Sequence, residues 1–316
     1  MTRKFVIGSR GSDLALWQAN HVKALLEDTF ADRAFEIKLI QTTGDKMLDV
    51  ALSKIGDKGL FTRQIETELL NGSIDLAVHS LKDLQTEQPD GLSIGAVCKR
   101  ELPHDVFISK HGVSLKELPQ GAKVATGSLR RRSQLMNFRP DLKIVEIRGN
   151  VPTRLRTFDE SDLDGMVLAF AGVHRLDLDD RISDRIDFDI MLPAVGQGAV
   201  AVEVRNSDED VLEVVRALED RETRYCIAAE RSFLRTLEGG CQVPIGAHAV
   251  FDSGQITLQG YVGSLDGTAA FRDSIVGGAD EADSLGRRLA DRLISVGAAD
   301  LLAEARIGAD SRAGAV

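Results

Sequence analysis

The sequence predicts an α/β protein in which a smaller α+β domain follows two similar α/β lobes. Over the first two-thirds of the chain, short β-rich runs alternate with amphipathic helical stretches, a pattern typical of a mixed or mostly parallel sheet. After about Arg221 the pattern changes to one long helix, three β-rich runs separated by turn pairs, and a closing helix. A chain of 316 residues is long enough to form several hydrophobic cores.

The elements of the two predicted lobes follow from hydrophobic periodicity. In the first lobe we expect strands and helices in the order Phe5–Gly8, Leu14–Phe30, Phe35–Gln41, Leu60–Leu70 and Ile74–His79. In the second lobe we expect a strand at Lys123–Ala125, a helix through Met136, a strand at Ile144–Ile147, a helix with Pro152 in its first turn and a strand at Met166–Phe170.

The last third is predicted to form a helix at Glu222–Leu237, an antiparallel meander and a closing helix at about Asp280–Val296. The three strands of the meander are Ala247–Phe251, Gln255–Ser264 and Ala269–Val276, with turns at Ser253-Gly254 and Asp266-Gly267. These patterns divide the chain into residues 1–98 plus 199–217 (first α/β domain), 104–193 (second α/β domain) and 221–316 (α+β domain).

The composition excludes several classes of protein. With 43% hydrophobic and 28% charged residues, the chain has the composition of a soluble globular protein. It shows no apolar run of membrane-spanning length and no secretion signal. An odd number of cysteines, three, argues against a disulfide framework and favours a reducing compartment, so we expect a cytoplasmic protein. A net charge of −10 disfavours nucleic acid or an anionic membrane as partner, and no Cys/His cluster has metal-site spacing.

Basic and hydroxyl side chains follow three predicted strands in this acidic chain. The segment Thr126-Gly127-Ser128-Leu129-Arg130-Arg131-Arg132 follows one strand, Arg148 with Arg154 follows the next, and Arg10 with Ser12 follows the first strand of the chain. Ligands of open α/β sheets bind at the carboxyl ends of strands, where helix N-termini and guanidinium groups favour carboxylates or phosphates. We interpret the pattern as a cleft for a polyanion; the alternative is a solvated basic surface.

Lys82 and Asp83 follow another apolar strand. At such a position the ammonium group can bind a ligand carboxylate, and the carboxylate can accept N–H donors and stabilise a developing cation. The alternative is a surface ion pair at the start of a helix. For the neighbouring His79 we favour a structural role.

Cys241 lies in a loop with Gly239-Gly240 before it and Pro244 after it. Such a loop presents the thiol either as a small hydrophobic group or as an attachment point. Cys98 and Cys226 lie in apolar surroundings and are predicted to be small buried residues.

Two further segments are rich in glycine. Pro193–Ala199, which contains Gln197, lacks the third glycine of a dinucleotide fingerprint and is interpreted as a crossing between domains. Ser53–Phe61 contains Lys54 and Lys58 without Walker spacing and is interpreted as a lid.

Taken together, these segments resemble the porphobilinogen deaminase family, also called hydroxymethylbilane synthases. The resemblance runs from the first strand to at least the Cys241 loop, and it is specific because all the segments occur in order. Its segments are Ile7–Ser12 with Leu14–Ala19, Lys58–Phe61, Asp75–Asp83, Gly127–Arg131, Arg148–Val151, Leu192–Ala199 and Glu238–Gly246.

The resemblance implies a fold and an activity. The two lobes would resemble type II periplasmic binding proteins, and the third domain would carry the cofactor. The enzyme would be a transferase, expected to be monomeric. It would join four porphobilinogen molecules head to tail with loss of ammonia, then release hydroxymethylbilane by hydrolysis. A dipyrromethane cofactor, bound to Cys241 through a thioether, would be the primer.

The family's functional residues match positions of this chain. The resemblance implies catalytic roles for Asp83, Arg10, Arg148 and Arg154, with Asp83 stabilising the azafulvenium cation left when ammonia departs. It implies cofactor contacts for Cys241, Lys82, Asp83, Thr126, Ser128, Arg130 and Arg131. It implies substrate contacts for Arg10, Ser12, Phe61, Arg175 and Gln197. The chain departs from the family's usual residues at Gly127, His104, Thr43 and Gln85.

Two other classes of protein remain open from the residues alone. A non-catalytic two-lobed anion-binding protein fits the lobe pattern, but it needs no thiol at position 241 and is expected to carry a signal peptide. A regulatory module that senses an anionic ligand needs a DNA-binding segment, whereas this chain begins in a strand.

Overall fold

The computed structural model describes residues 3–46, 59–237 and 243–304. The described residues form two compact units. The first contains those up to Glu101 and those from Gly198 to Arg224, and the second contains the rest.

Strands and helices are numbered along the described residues. The strands are β1 (Lys4–Ser9), β2 (Ala34–Leu39), β3 (Leu76–Ser80), β4 (Leu92–Val97), β5 (Asp105–Ser109), β6 (Lys123–Ala125), β7 (Lys143–Val145), β8 (Gly165–Ala169), β9 (Asp184–Arg185), β10 (Val200–Arg205), β11 (Ile245–Asp252), β12 (Gln255–Gly263) and β13 (Ala270–Gly278). The helices are α1 (Asp13–Thr29), α2 (Thr43–Lys46), α3 (Arg63–Leu70), α4 (Leu129–Phe138), α5 (Val151–Asp159), α6 (Phe170–His174), α7 (Glu209–Val215), α8 (Arg221–Thr236) and α9 (Ala282–Leu293).

The first unit is built on a five-stranded sheet in the order β2-β1-β3-β10-β4. β1 is parallel to β2 and β3, whereas β10 is antiparallel to both of its neighbours. One face of this sheet buries Phe5, Ile7 and Val78 in a core with α1 residues such as Val22 and Leu26. Because apolar side chains cover both faces, these strands read as nearly continuous hydrophobic runs in the sequence.

The second unit contains a five-stranded sheet of the same design, in the order β7-β6-β8-β5-β9. β6 is parallel to β7 and β8, and β5 is antiparallel to β8 and β9. The antiparallel strand again occupies the fourth position. The shared order confirms the prediction of two similar α/β lobes with mixed sheets.

A three-stranded antiparallel sheet, β11-β12-β13, follows in the second unit. Its inner face packs on α8 and α9 around Phe233, Leu258 and Leu289. The tight turn between β11 and β12 has left-handed backbone at Ser253 (φ 49°) and Gly254 (φ 84°). The predicted meander is therefore confirmed.

The sequence missed several elements and misplaced some ends. β4, β5, β9 and β10 were not predicted, although β5 and β10 supply the antiparallel strand of each lobe. The closing helix ends its regular turns at Leu293, and a π-helical turn follows in which Gly297 adopts φ 115°. The proposed three-domain boundaries remain a prediction. No helix among the described residues is long and apolar enough to cross a membrane.

Close contact between α8 and α9 gives the first test. A Cβ atom on Gly286 would lie 2.4 Å from the carbonyl oxygen of Ala229, so the two backbones must separate to accept a methyl group. We expect Gly286→Ala to lower the free energy of unfolding by about 2 kcal/mol, measured by urea denaturation. Asp291→Ala, at an exposed position of the same helix, is the control. Equal stability of both variants would show that α9 does not approach α8 this closely.

Candidate functional site

The first unit gathers predicted site residues at one edge of its sheet. β1 and β3 are parallel neighbours, so the residues that follow them lie at the same edge. Arg10 and Ser12 follow β1, with Ser12 at the N-cap of α1, and Lys82 with Asp83 forms a single 3₁₀ turn after β3. Asp83 is exposed. This edge therefore combines two cationic side chains with an accessible carboxylate.

Arg10 is held by a partner that the sequence did not reveal. Its Nε and Nη2 donate to Asp45 Oδ1 at 3.1 and 2.5 Å. Its guanidinium carbon lies 4.3 Å from the ring centroid of Phe61. Burial by itself would raise the pKa of Asp45, but hydrogen bonds from Arg10 and Thr42 outweigh it and lower the pKa below its ordinary value. Arg10 and Phe61, both predicted as substrate contacts, thus lie together.

Beneath this edge the first unit buries three titratable side chains. Glu203 is 0% exposed, His79 5% and Glu66 7%. His79 Nε2 lies 3.2 Å from Glu203 Oε2. Burial, together with the charge of Glu203, raises the pKa of Glu66. Neither His79 Nε2 nor the Glu203 carboxylate has a hydrogen-bond partner among the described residues. The structural role expected for His79 therefore stays a prediction.

The second unit has an equivalent edge. β7, β6 and β8 run parallel, and predicted site residues follow the carboxyl end of each strand. Arg148 follows β7, Thr126 and Ser128 follow β6, and Arg175 follows β8 and α6. Thr126 Oγ1 accepts from the Ser128 N–H at 3.2 Å. Ser128 Oγ accepts from the Arg131 N–H at 3.4 Å, so Ser128 is the N-cap of α4. The positive end of α4 therefore points to this edge.

Two arginines of α4 converge on Asp105, at the start of β5. Arg130 Nη1 donates to Asp105 Oδ2 at 2.7 Å, and Arg131 Nε and Nη2 donate to Oδ1 at 3.1 and 2.8 Å. Gln197 Nε2 donates to the same Oδ1 at 3.0 Å. Asp105 is fully buried and each arginine is 5% exposed. We call Asp105, Arg130 and Arg131 the Asp105 triad.

The Asp105 triad has an excess of positive charge, because two guanidinium cations face a single carboxylate. Burial by itself would raise the pKa of Asp105, but the two guanidinium groups hold it well below its usual range. Arginine stays protonated in proteins, so two cations face one anion. A buried excess of positive charge favours an anionic ligand.

The remaining predicted arginines have neighbours of their own. Arg148 donates to Glu146 Oε1 through Nε at 3.0 Å and Nη2 at 2.6 Å. Arg154 Nε donates to the Gly149 carbonyl at 2.7 Å. Arg175 follows α6 and is 7% exposed.

Part of the predicted site lies outside the described residues. These parts are Cys241, the glycines before it, and the segment through Lys58. The predicted small buried cysteines are confirmed, since Cys98 is 3% and Cys226 6% exposed. Within residues 3–46, 59–237 and 243–304, no group of His, Cys, Asp and Glu side chains is arranged to hold a metal ion.

Sequence reasoning missed Asp105 and Asp45. Asp105 had a usable signal, because it opens the apolar run Val106-Phe107-Ile108, and a carboxylate that enters a buried strand needs cationic partners. Asp45 had none, because nothing in its local sequence relates it to Arg10.

Asp105→Asn tests the triad. The amide leaves two buried guanidinium groups without an anion, so we expect the free energy of unfolding to fall by about 3–5 kcal/mol in urea at pH 7. Because folding lowers the pKa of Asp105, its contribution is complete above about pH 4 and is lost only in stronger acid. Asp162→Asn, which breaks a solvent-exposed ion pair with Lys123, should lower the stability far less. Similar losses for both variants would show that Asp105 has no special weight.

Comparison with known proteins identifies the family. Residues 5–213 match the family described as "Porphobilinogen deaminase, dipyromethane cofactor binding domain", and residues 224–295 match "Porphobilinogen deaminase, C-terminal domain". The porphobilinogen deaminase of Chlorobium phaeobacteroides is 51% identical over 310 residues, which cover 97% of this chain and 99% of that protein. That of Pelotomaculum thermopropionicum is 50% identical over 306 residues, covering 97% and 98%.

Solved structures show a more distant similarity. The methionine-binding protein MetQ covers 70% of this chain and 92% of its own, with a TM-score of 0.43 and 15% identity, which has no bearing on function. The family matches span most of the sequence, and the relatives align over nearly their full length. The chain belongs to the porphobilinogen deaminase family.

Proposed function

We propose that this chain is a hydroxymethylbilane synthase, a transferase that condenses four porphobilinogen molecules into a linear tetrapyrrole. The observation that carries the proposal is the identity of about half of all residues over nearly the whole length of curated porphobilinogen deaminases. The geometry supports it, because each α/β lobe brings basic side chains to the carboxyl edge of its parallel strands. A polyanionic substrate requires such edges.

The second unit suits a dipyrromethane cofactor, whose acetate and propionate groups are anions. The excess positive charge of the Asp105 triad and the positive end of α4 favour carboxylates. We propose that Arg130, Arg131, Ser128 and Thr126 hold these carboxylates and that Cys241 provides the thioether. Lys82 is proposed as a further cofactor contact. When bound, the cofactor supplies the free pyrrole α-carbon to which the first substrate is joined.

The other arginines would bind the substrate and the growing chain. Each porphobilinogen carries two carboxylates, so every addition increases the negative charge to be held. We assign this role to Arg10, Ser12 and Phe61 in the first unit and to Arg148, Arg154, Arg175 and Gln197 in the second. Gln197 also donates to Asp105, so it links the triad to this role.

Asp83 would stabilise the positive charge that develops during the reaction. The aminomethyl C–N bond of porphobilinogen breaks, ammonia leaves, and a carbon–carbon bond to the α-carbon of the chain replaces it while that carbon loses its proton. A cation formed among arginines is unfavourable unless a carboxylate is near. Asp83 is exposed in the turn after β3, beside Lys82, and one such contact is typically worth about 3–4 kcal/mol of barrier.

The surroundings of the enzyme are part of the proposal. The acidic net charge of −10 disfavours nucleic acid or an anionic membrane as partner, and the odd cysteine number favours the cytoplasm. The monomeric state is proposed from the family resemblance alone.

Covalent attachment is tested by intact-mass spectrometry. We expect purified protein to exceed its sequence mass by one dipyrromethane unit and Cys241→Ser to show no excess. Cys98→Ser, which alters a buried cysteine, should retain the excess and serves as the control. Active protein with an unmodified mass would contradict the thioether.

Asp83→Asn tests catalysis. The amide keeps the shape of the side chain but cannot stabilise a cation by charge. We expect the cofactor mass to be retained and turnover of porphobilinogen to fall by about 10²–10³-fold. Asp90→Asn, at an exposed position of the same lobe, should leave turnover unchanged. Near-normal turnover in Asp83→Asn would reject the role, and wild-type protein that binds porphobilinogen without consuming it would favour the anion-binding alternative.

A further inference from the structure

The first unit contains a network that orients Arg10. Asp45 Oδ1 accepts from both Nε and Nη2 of Arg10, at 3.1 and 2.5 Å. Asp45 Oδ2 accepts from the backbone N–H and the hydroxyl of Thr42, at 3.1 and 2.7 Å. Thr42 therefore orients the Asp45 carboxylate independently of its contact with the guanidinium.

The position of Asp45 determines which edge of Arg10 remains available. A guanidinium group offers two edges for bidentate contact, one formed by Nε with an Nη nitrogen and one formed by the two Nη nitrogens. Asp45 occupies the first edge. Among the described residues no hydrogen bond involves Nη1, so none of them occupies the second edge in this way.

Phe61 fixes the plane of the same guanidinium. The ring lies under Arg10 at 4.3 Å, and a Cβ atom on Gly44 would lie 2.2 Å from Phe61 Cε1. Gly44, next to Asp45, thus lets the ring pack against α2. A hydrogen bond from the Gly44 N–H to the Leu60 carbonyl, 2.9 Å, ties this turn to the residue before Phe61. Asp45 and Phe61, from two hydrogen-bonded segments, therefore fix the orientation of the Arg10 guanidinium.

We propose that Asp45 is a positioning residue, which holds Arg10 so that its Nη1–Nη2 edge receives a substrate carboxylate. The inference rests on the substrate role proposed for Arg10. Asp45 would then contribute to substrate binding and not to the chemical step, because it acts only through Arg10. A rival interpretation is that Asp45 competes with the substrate for the guanidinium.

Steady-state kinetics distinguish these interpretations. We expect Asp45→Ala to raise the KM for porphobilinogen about tenfold, the effect of one weakened charge-assisted contact, with kcat changed less than about threefold. Asp45→Asn keeps an oxygen for the Nε edge and should recover most of the loss. Glu68→Ala removes the same charge from an ion pair with Lys38 in the same lobe and should leave KM unchanged. An unchanged or lower KM in Asp45→Ala would overturn the proposal.

A second readout does not depend on activity. The Nε–H proton of Arg10 should exchange slowly with water in the wild type, measured by NMR and assigned by its loss in Arg10→Lys. It should exchange rapidly in Asp45→Ala, with circular dichroism and the melting temperature little changed. Equal exchange rates in both proteins would overturn the positioning role. Wild-type protein that protects this proton but does not consume porphobilinogen would instead reject the proposed function.

Discussion

Asp105 lies fully buried at the start of β5, and its oxygens accept from Arg130, Arg131 and Gln197. The same guanidinium groups also bind backbone carbonyls. Arg130 donates to the carbonyl of Leu192 at 2.7 Å, and Arg131 donates to the carbonyl of Val167 at 3.0 Å. One carboxylate thus connects α4, β5, β8 and the segment that leads to Gln197. Removing it would leave two buried cations without an anion, so the second unit depends on this interaction.

The connection reaches the C-terminal sheet. Leu192 is held through its N–H and carbonyl by the amide of Gln134, at 2.8 and 3.0 Å. The next carbonyl, that of Pro193, accepts from the Ala247 N–H of β11 at 3.0 Å. Ion pairing and backbone hydrogen bonding therefore form one continuous path from α4 to β11. Within the second unit, the proposed cofactor site and the C-terminal sheet are joined by the same hydrogen-bonded path.

Both lobes hold basic residues by the same means. Asp105 orients Arg130 and Arg131, and Asp45 orients Arg10. In each case the carboxylate is supported by other donors, so the arginine loses little conformational freedom when a ligand arrives. An acidic protein can present cationic edges in this way, because its own carboxylates fix the guanidinium groups without neutralising all of them.

Much of this arrangement could be predicted from the sequence. Arg10, Lys82, Asp83, Ser128 and Arg148 were placed correctly after strands because strand ends carry local signals, namely apolar runs followed by polar residues. β5 and β10 contain apolar runs that could have been predicted as strands, but their antiparallel entry at the fourth position of each sheet depends on pairing with segments distant in sequence. Partners such as Asp45 and Asp105 depend on contacts between segments far apart in sequence, and periodicity carries no information on such contacts.

The second unit depends on an Asp105 that stays ionised and paired with both arginines. Carbon-13 NMR of the aspartate carboxyl groups, titrated toward acid, measures this ionisation. We expect the Asp105 signal to keep its ionised shift at pH 3, below the ordinary aspartate pKa of about 3.9, until the protein unfolds. An Asp105 signal that titrates near that ordinary pKa in the folded protein would show that the two arginines do not hold the carboxylate ionised.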